Sequence, residues 1–171
     1  NRSTQEYVLV SSVNTIFNID FNPLLDWHIE SGCDITEVRK DGTSLEVYLL
    51  RKELLLELLE TRHETGYLNI RQVVLDVNNP YRLCSYQYEG YAKKIHTIQD
   101  YFSASMGLLK PEIWQQLFLK DRPILTKVKD EPPTLYLKSS TVHNSMVANG
   151  AIIEGTVENS IIARGVKVAK G

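Results

Sequence analysis

The chain has 171 residues, of which 43% are hydrophobic and 23% are charged, and its formal net charge is −2. These values are typical of a globular protein of one or two domains with a sizeable core. The near-neutral charge argues against a nucleic-acid-binding protein, and the lack of an apolar run of about 18 residues argues against a membrane span. Without a signal-peptide pattern either, we expect a cytoplasmic protein without nucleic-acid or membrane partners.

Two cysteines, Cys33 and Cys84, are too few for a disulfide framework, so we expect both thiols to be reduced. The chain starts at Asn1 rather than at a methionine, and it stops at Gly171 in the middle of a repeat. We therefore expect the sequence to be a fragment with both ends cut from a longer protein.

The first predicted elements are a strand and a helix joined by a polar turn. Residues 7–10 form an apolar run that suits a strand buried on both faces of a parallel sheet. The helix has Asn22 as its N-cap, Pro23 at its first position and Gly32 just past its end. Ligands of open α/β sheets bind beyond the carboxyl ends of strands, which points to residues 11–18. That segment has no Asp, Glu, His, Lys or Cys, which is unusual for a catalytic loop. It is therefore either an active site or the position at which an active site has been lost.

Further along, strands and helices alternate. The patterns predict strands at residues 35–38, 44–50, 83–88 and 91–95, and helices at 52–63, at 68–75, after Thr97 and from Pro111. The last two strands are joined at Glu89 and Gly90, as in a hairpin. Thr97 and Asp100 match a capping box at the start of the helix that follows Thr97.

The remaining sequence contains a connector and a repeat. Residues 122–133 are charged and carry three prolines, which predicts an extended connector and a domain boundary. Residues 141–155 then align with residues 156–171 at an offset of 15. Small residues alternate there with single aliphatic residues, which is typical of a parallel β-helix of the hexapeptide kind, with Gly and Asn at its corners. A β meander is the alternative, and a β-helix would need further coils after Gly171.

Residues with obvious chemistry are scattered. The histidines at positions 28, 63, 96 and 143 share no metal-ligand spacing with a cysteine or a carboxylate, and no glycine-rich phosphate loop is present. His143 lies in the first repeat, where some β-helix acyltransferases place a general base, but its counterpart one repeat later is Glu158. His143 is therefore either a general base for acyl transfer or an outward-facing polar residue.

Four stretches resemble the bacterial glucose-1-phosphate adenylyltransferase family, and most of all its non-catalytic, regulatory D-type subunit. They are VLVSSVNTIFNIDF, SLEVYLLRKELLLELL, RPILTKVKDEPPT and NSMVANGAIIEGTVENSIIARGVKVAKG. The resemblance implies an α/β fold, with part of a nucleotidyltransferase (Rossmann-like) domain at residues 1–121, a connector at 122–133 and the start of a left-handed parallel β-helix at 134–171. It also implies a role in glycogen biosynthesis and an amino-terminal nucleotide-binding part that precedes this fragment.

The same resemblance bears on catalysis. Catalytic members join ATP to glucose 1-phosphate, and two aspartates hold the Mg²⁺ that stabilises the reacting group. Asn14 and Lys94 stand at these two positions of the alignment. An ammonium group about 4 Å from a divalent cation would be repelled by several kcal/mol. The resemblance therefore implies a chain with no catalytic residue, no metal site and no cofactor, and Mg²⁺ only in a catalytic partner.

Sugar contacts are partly retained in the alignment. Ser44 and Tyr48 match a Ser-x-Gly-x-Tyr strand that contacts glucose in the family, although Glu46 stands at the glycine position. The resemblance thus implies a regulatory subunit that pairs with a catalytic paralogue, as a hetero-tetramer, and leaves open whether sugar phosphate binds. An active sugar-1-phosphate nucleotidyltransferase and a β-helix acyltransferase are the two alternatives.

Overall fold

The computed structural model of the protein describes residues 4–170. The chain divides into two compact units, the first ending at Lys94 and the second starting at Ile95. The predicted connector, residues 122–133, lies in the second unit and has no regular secondary structure. The predicted domain limits stay a prediction.

The first unit mixes strands and helices. Its strands are β1 (Tyr7–Ser11), β2 (Thr15–Phe17), β3 (Ile35–Lys40), β4 (Thr43–Arg51), β5 (Leu83–Gln87) and β6 (Ala92–Lys94). Its helices are α1 (Phe21–Ser31), α2 (Lys52–Glu60), α3 (Arg62–Thr65) and α4 (Ile70–Leu75). The predicted mixed α/β class is confirmed.

The main sheet of this unit has the strand order β1-β4-β3-β5. Strands β1 and β3 are both antiparallel to β4, and only β5 is parallel to its neighbour β3. β2 and β6 form a separate antiparallel ladder. Two predictions are therefore wrong: β1 does not lie in a parallel sheet, and β5 and β6 do not form a hairpin. A short apolar run does not reveal whether its neighbouring strand is parallel or antiparallel, because the direction depends on which distant segment pairs with it.

Helix α1 begins at a different cap from the predicted one. Asp20 is the N-cap, and its carboxylate accepts a hydrogen bond from the Asn22 N–H at 3.0 Å. Asn22 therefore lies inside the first turn, because an aspartate two residues earlier caps equally well. Gly32 ends the helix in the left-handed conformation, with φ of 61°, as predicted.

Strand β4 separates two groups of buried side chains. Leu45, Val47 and Leu49 belong to the cluster that includes Leu24 of α1. The remaining residues of β4 alternate to the opposite face, where Tyr48 and Leu50 pack with side chains of α2 and α4. Tyr48 and its neighbour two residues earlier, Glu46, therefore share the face that α4 covers.

His28 of α1 is a buried titratable group in the first unit. It is 2% exposed, its Nδ1 atom lies 2.7 Å from Thr36 Oγ1, and its ring packs edge-on against Tyr7. Burial, together with the nearby charge of Arg51, lowers the pKa of His28 below its ordinary value of 6.5. The unfolded chain therefore binds more protons than the folded chain just below pH 6.5, so acid favours unfolding.

We expect the free energy of unfolding to decrease by about 1 kcal/mol per pH unit as pH falls from about 6.5, because of His28. Urea unfolding followed by circular dichroism at pH 7.5, 6.5 and 5.5 measures this slope. A His28→Gln variant should lose the His28 part of the slope, whereas His63→Gln, a change at an exposed residue, should keep it. An identical slope in the wild type and His28→Gln would contradict the assignment.

The second unit consists of two helices followed by short strands. The helices are α5 (Ile98–Gly107) and α6 (Pro111–Leu117). The strands are β7 (Leu135–Tyr136), β8 (Thr141–His143), β9 (Met146–Val147), β10 (Ile152–Ile153), β11 (Thr156–Glu158), β12 (Ile161–Ile162) and β13 (Lys167–Val168). α5 starts with the predicted capping box, in which Thr97 and Asp100 bind each other's backbone N–H groups. None of the helices that the structure describes is long and apolar enough to span a bilayer.

The strands of the second unit pair in parallel with the register of the sequence repeat. β8 pairs with β11, β9 with β12 and β10 with β13, each at an offset of 15 residues. Ala151, Ile153 and Val157 are buried between these ladders. Asn144 and Asn159 have positive φ values of 40° and 44°, and the Asn144 amide donates to Asn159 Oδ1 at 2.7 Å. The corner role predicted for asparagine agrees with these backbone angles.

The two cysteines form a disulfide, with Cα atoms 6.1 Å apart. Cys33 comes just before β3, and Cys84 lies in β5, the parallel neighbour of β3. The expectation of two reduced thiols is therefore wrong for this structure. The cysteine count could not show the pairing, because the sheet brings together two residues that are 51 positions apart.

Candidate functional site

Asn14 and Lys94 come together at one end of the β2–β6 ladder. Thr15, the first residue of β2, lies opposite Lys94, the last residue of β6. Asn14 immediately precedes Thr15 in the turn after β1, and its Oδ1 atom accepts a hydrogen bond from the Ser12 hydroxyl. The two residues at the aspartate positions of the alignment are thus neighbours in space.

Lys94 is paired with a carboxylate from the main sheet. Its Nζ atom lies 2.6 Å from Glu46 Oε1, and Arg71 NH1 lies 3.0 Å from the same oxygen. The Lys94 and Glu46 side chains are only 18% and 16% exposed, whereas that of Arg71 is 60% exposed. Charge-assisted hydrogen bonds of this kind are stronger than neutral ones, and shielding from water strengthens them further. The cluster of two cations and one anion carries a formal charge of +1.

The backbone of Glu46 adopts a conformation typical of glycine. Its φ is 55°, in the left-handed region, which costs a residue with a side chain about 1–2 kcal/mol. Two hydrogen bonds hold it there: the Glu46 N–H donates to Ser44 Oγ at 3.1 Å, and its carbonyl accepts from the Ser12 N–H at 3.0 Å. The cost is offset by the two cations that the Glu46 carboxylate reaches.

Sequence reasoning noticed Glu46 only as a departure from a glycine and missed its pairing with Lys94. A signal was nevertheless present, because two departures from the family pattern have opposite charges: Glu46 at a glycine position and Lys94 at an aspartate position. Opposite charges gained at two positions are what a new ion pair requires.

A pocket of about 340 Å³ opens beside this cluster. It is lined by Val10, Ser11, Ser12, Glu46, Tyr48, Asn69, Ile70 and Arg71. Tyr48 is 3% exposed, and its hydroxyl has no hydrogen-bond partner among the described residues. Burial raises the pKa of Tyr48, an effect opposed by the nearby Ser44 hydroxyl. Of the two residues predicted to contact sugar, Tyr48 lines the pocket. The other, Ser44, accepts a hydrogen bond from the Glu46 N–H.

The donor set does not suit a divalent metal ion. Within residues 4–170, no group of three or more His, Cys, Asp or Glu side chains could hold one. Glu46, the carboxylate of the pocket, already accepts from two cations that would repel a metal. His143, the residue considered for acyl transfer, is exposed on β8 and lies opposite Glu158 in the parallel ladder.

Comparison with known proteins identifies relatives over the whole chain, although no protein-family model matches it. The chain is 48% identical over its full length to the glycogen biosynthesis protein GlgD of Bacillus subtilis (strain 168). It is 49% identical over 99% of its length to GlgD of Geobacillus stearothermophilus. It spans about half, 50%, of the length of both relatives. Against the glucose-1-phosphate adenylyltransferase of Bacillus subtilis it is 26% identical, over 99% of this chain and 54% of that protein.

The alignments with the two kinds of relative differ in length. The Bacillus subtilis GlgD alignment spans 171 residues, whereas the adenylyltransferase alignment extends over 209 positions, so the adenylyltransferase has additional residues. In this chain a tight turn joins β3 and β4: Lys40 pairs with Thr43, and Asp41 and Gly42 have positive φ. These similarities confirm the resemblance inferred from the sequence: the chain is a homologue of GlgD glycogen biosynthesis proteins and a more distant relative of glucose-1-phosphate adenylyltransferases.

Proposed function

We propose that this chain is part of a regulatory, catalytically inactive subunit of glucose-1-phosphate adenylyltransferase that acts in glycogen biosynthesis. The observation that carries the proposal is the Lys94–Glu46 pair, 2.6 Å apart. An ammonium group with an internal counter-ion stands where the alignment puts a metal-binding aspartate. Metal-assisted nucleotidyl transfer needs the opposite charge at that place.

The conformation of Glu46 supports the alignment on which this proposal depends. The family motif has glycine at this position, and the φ of 55° is one that glycine adopts without strain. We expect a glutamate with a positive φ where the backbone of the strand keeps the conformation of the family motif and only the side chain at the glycine position has changed. Tyr48 and Ser44, two residues away on either side, retain the identities of the motif.

The second unit supports a further part of the proposal, that residues 134–171 are the start of a left-handed parallel β-helix. Parallel ladders at a 15-residue offset and aliphatic residues buried between them support this architecture. In the same proposal, residues 1–121 are part of a nucleotidyltransferase-like domain, and residues 122–133 are the connector.

In this proposal the subunit assembles in the cytoplasm with a catalytic paralogue, as a hetero-tetramer, and Mg²⁺ binds only in that paralogue. Regulation requires that contacts between the subunits differ between a more active and a less active state. The pocket beside Glu46 retains Tyr48, one of the residues that match the sugar-contacting strand.

Co-expression of the full-length protein with a catalytic paralogue tests this proposal. We expect no pyrophosphate from ATP and glucose 1-phosphate with the full-length protein alone. Because allosteric coupling is typically fivefold or more, we expect the mixture to differ about fivefold or more from the sum of the separate activities. Size-exclusion chromatography with light scattering on the same samples should show a mixed tetramer.

Two outcomes would contradict the regulatory proposal. Pyrophosphate formation by the full-length protein alone would favour an active nucleotidyltransferase. A mixture that shows only the sum of the separate activities and no mixed oligomer would show that the two proteins do not interact as proposed.

A further inference from the structure

Another pocket lies in the second unit, where α6 and the turn before it face the corner between β8 and β9. Its volume is about 500 Å³, and it shares no lining residue with the pocket described above. Trp114 and Gln115 line it on the helix side, and Asn144 and Ser145 line it on the corner side. The described residues that line it are all uncharged. Such a lining offers no side-chain counter-ion to a charged ligand and therefore favours a neutral one.

Trp114 presents an aromatic surface to this pocket. The residue is 44% exposed, although its side chain is large and mostly apolar. Its ring centroid lies 5.7 Å from that of Phe118, and the two ring planes are tilted by 38°. Packing on Phe118 limits the positions of the indole ring. Because indole combines a flat apolar body with an N–H donor, it suits a ligand that has an apolar face and polar edges.

The corner supplies hydrogen-bonding groups in fixed positions. Asn144 has a φ of 40°, and its amide donates to Asn159 Oδ1 of the next repeat at 2.7 Å. Ser145 Oγ accepts from the Ser160 N–H at 3.1 Å. A side-chain amide has two N–H donors and a carbonyl acceptor, so the bond to Asn159 leaves Asn144 capacity for a ligand. Gln115, which is exposed on α6, adds a second amide on the other side of the pocket.

We propose that this pocket binds a chain of α-linked glucose residues. A glucose ring has C–H groups that pack on an indole ring, and its hydroxyl groups donate to and accept from side-chain amides. An uncharged pocket with an aromatic wall and two amides offers both kinds of contact. Its volume, about 500 Å³, is within the range of small-molecule sites.

The choice of glucose among neutral sugars rests on the proposed role in glycogen biosynthesis, whereas the uncharged and aromatic character of the pocket does not. The proposal adds a polymer contact to that role, which otherwise concerns small substrates and a protein partner. It places the subunit beside a glucan chain, and it gives Trp114 and Gln115 a binding role that sequence reasoning did not assign.

Isothermal titration calorimetry of maltopentaose into the full-length protein, without a catalytic partner, tests the site. We expect saturable binding that Trp114→Ala weakens about tenfold, because it removes the aromatic surface. Gln115→Ala removes one amide and should weaken binding several-fold. Gln116→Ala is the matched control, because the Gln116 amide instead donates to the Glu112 carbonyl at 3.0 Å, and it should change the affinity less than about twofold.

Circular dichroism checks that each variant is folded, and Gln115→Ala, at an exposed position, keeps the test valid if Trp114→Ala does not fold. Cellopentaose, a chain of the same sugar and length with the β linkage, tests the specificity. Weaker binding of cellopentaose than of maltopentaose would support the proposal. Equal binding of the two sugars, no saturable heat with maltopentaose, or wild-type affinity in the folded variants of Trp114 and Gln115 would overturn it.

The outcome of this titration is separate from that of the co-expression experiment. The titration uses no catalytic partner, and the co-expression assay contains no glucan. A failure of the regulatory proposal therefore leaves maltopentaose binding to be observed, and a failure of the glucan site leaves the coupled activities and the mixed oligomer unchanged.

Discussion

Replacing Lys94 with methionine should lower the free energy of unfolding by about 2 kcal/mol, because Glu46 loses its closest cation. Both side chains of the pair are more than four-fifths shielded from water, at 18% and 16% exposure, so the loss should exceed that of a surface ion pair. It should be smaller than for a fully buried pair, because Arg71 remains 3.0 Å from the same oxygen. Methionine keeps most of the apolar stem of lysine, which limits the change to the charge.

A double-mutant cycle isolates the pair from other effects. Glu46→Gln and Lys94→Met should together cost about 1 kcal/mol less than the sum of the two single variants, since each removes the same interaction. Urea unfolding followed by circular dichroism at pH 7.5 supplies the four free energies. Lys93→Met, at the preceding residue of β6, is the matched control and should stay within about 0.5 kcal/mol of the wild type. Strict additivity of the two changes would show that Glu46 is not the counter-ion of Lys94.

Loss of the Cys33–Cys84 disulfide should cost about 4 kcal/mol of unfolding free energy in the chain-entropy account. The bond links residues 51 positions apart, and the loop it closes contains β3, β4 and α2 to α4. A cross-link over so long a loop removes many conformations from the unfolded chain. Unfolding measured with and without a phosphine reductant, and in a Cys84→Ser variant, determines the cost.

Two controls separate the disulfide from other effects of the reductant. A Cys33→Ser/Cys84→Ser variant should unfold identically with and without reductant. Thiol labelling of the denatured, unreduced wild type should find no free cysteine, since both residues are in the bond. Two reactive thiols per chain would instead support the sequence-based expectation of reduced cysteines.

Several elements could be predicted because their signals are local. The capping box of α5 needs only Thr97 and Asp100, three residues apart, and the end of α1 needs only Gly32. The tandem repeat predicted the register of the parallel ladders, since equivalent residues of successive repeats stack on one another. The resemblance to the adenylyltransferase family depended on the same repeat, on the connector and on the segments around β1, β2, β4 and α2.

The candidate site could be predicted only in part. Asn14 and Lys94 were identified by aligning motifs, and both lie at one end of the β2–β6 ladder. Aligning motifs could not show that the Glu46 carboxylate contacts Lys94, because the two residues are 48 positions apart and lie in different sheets. Arg71 enters the site from α4, an element without any motif.

The amino-acid sequence by itself determined the start of α5, the end of α1, the repeat register and the family relationship, because each depends on residues close together in the chain or on identities within a motif. Only the tertiary structure decided which strand pairs with β1, which carboxylate neutralises Lys94 and which sulfur lies beside Cys33. These contacts join distant segments, and they form when chain topology and the burial of two apolar faces of β4 bring those segments together.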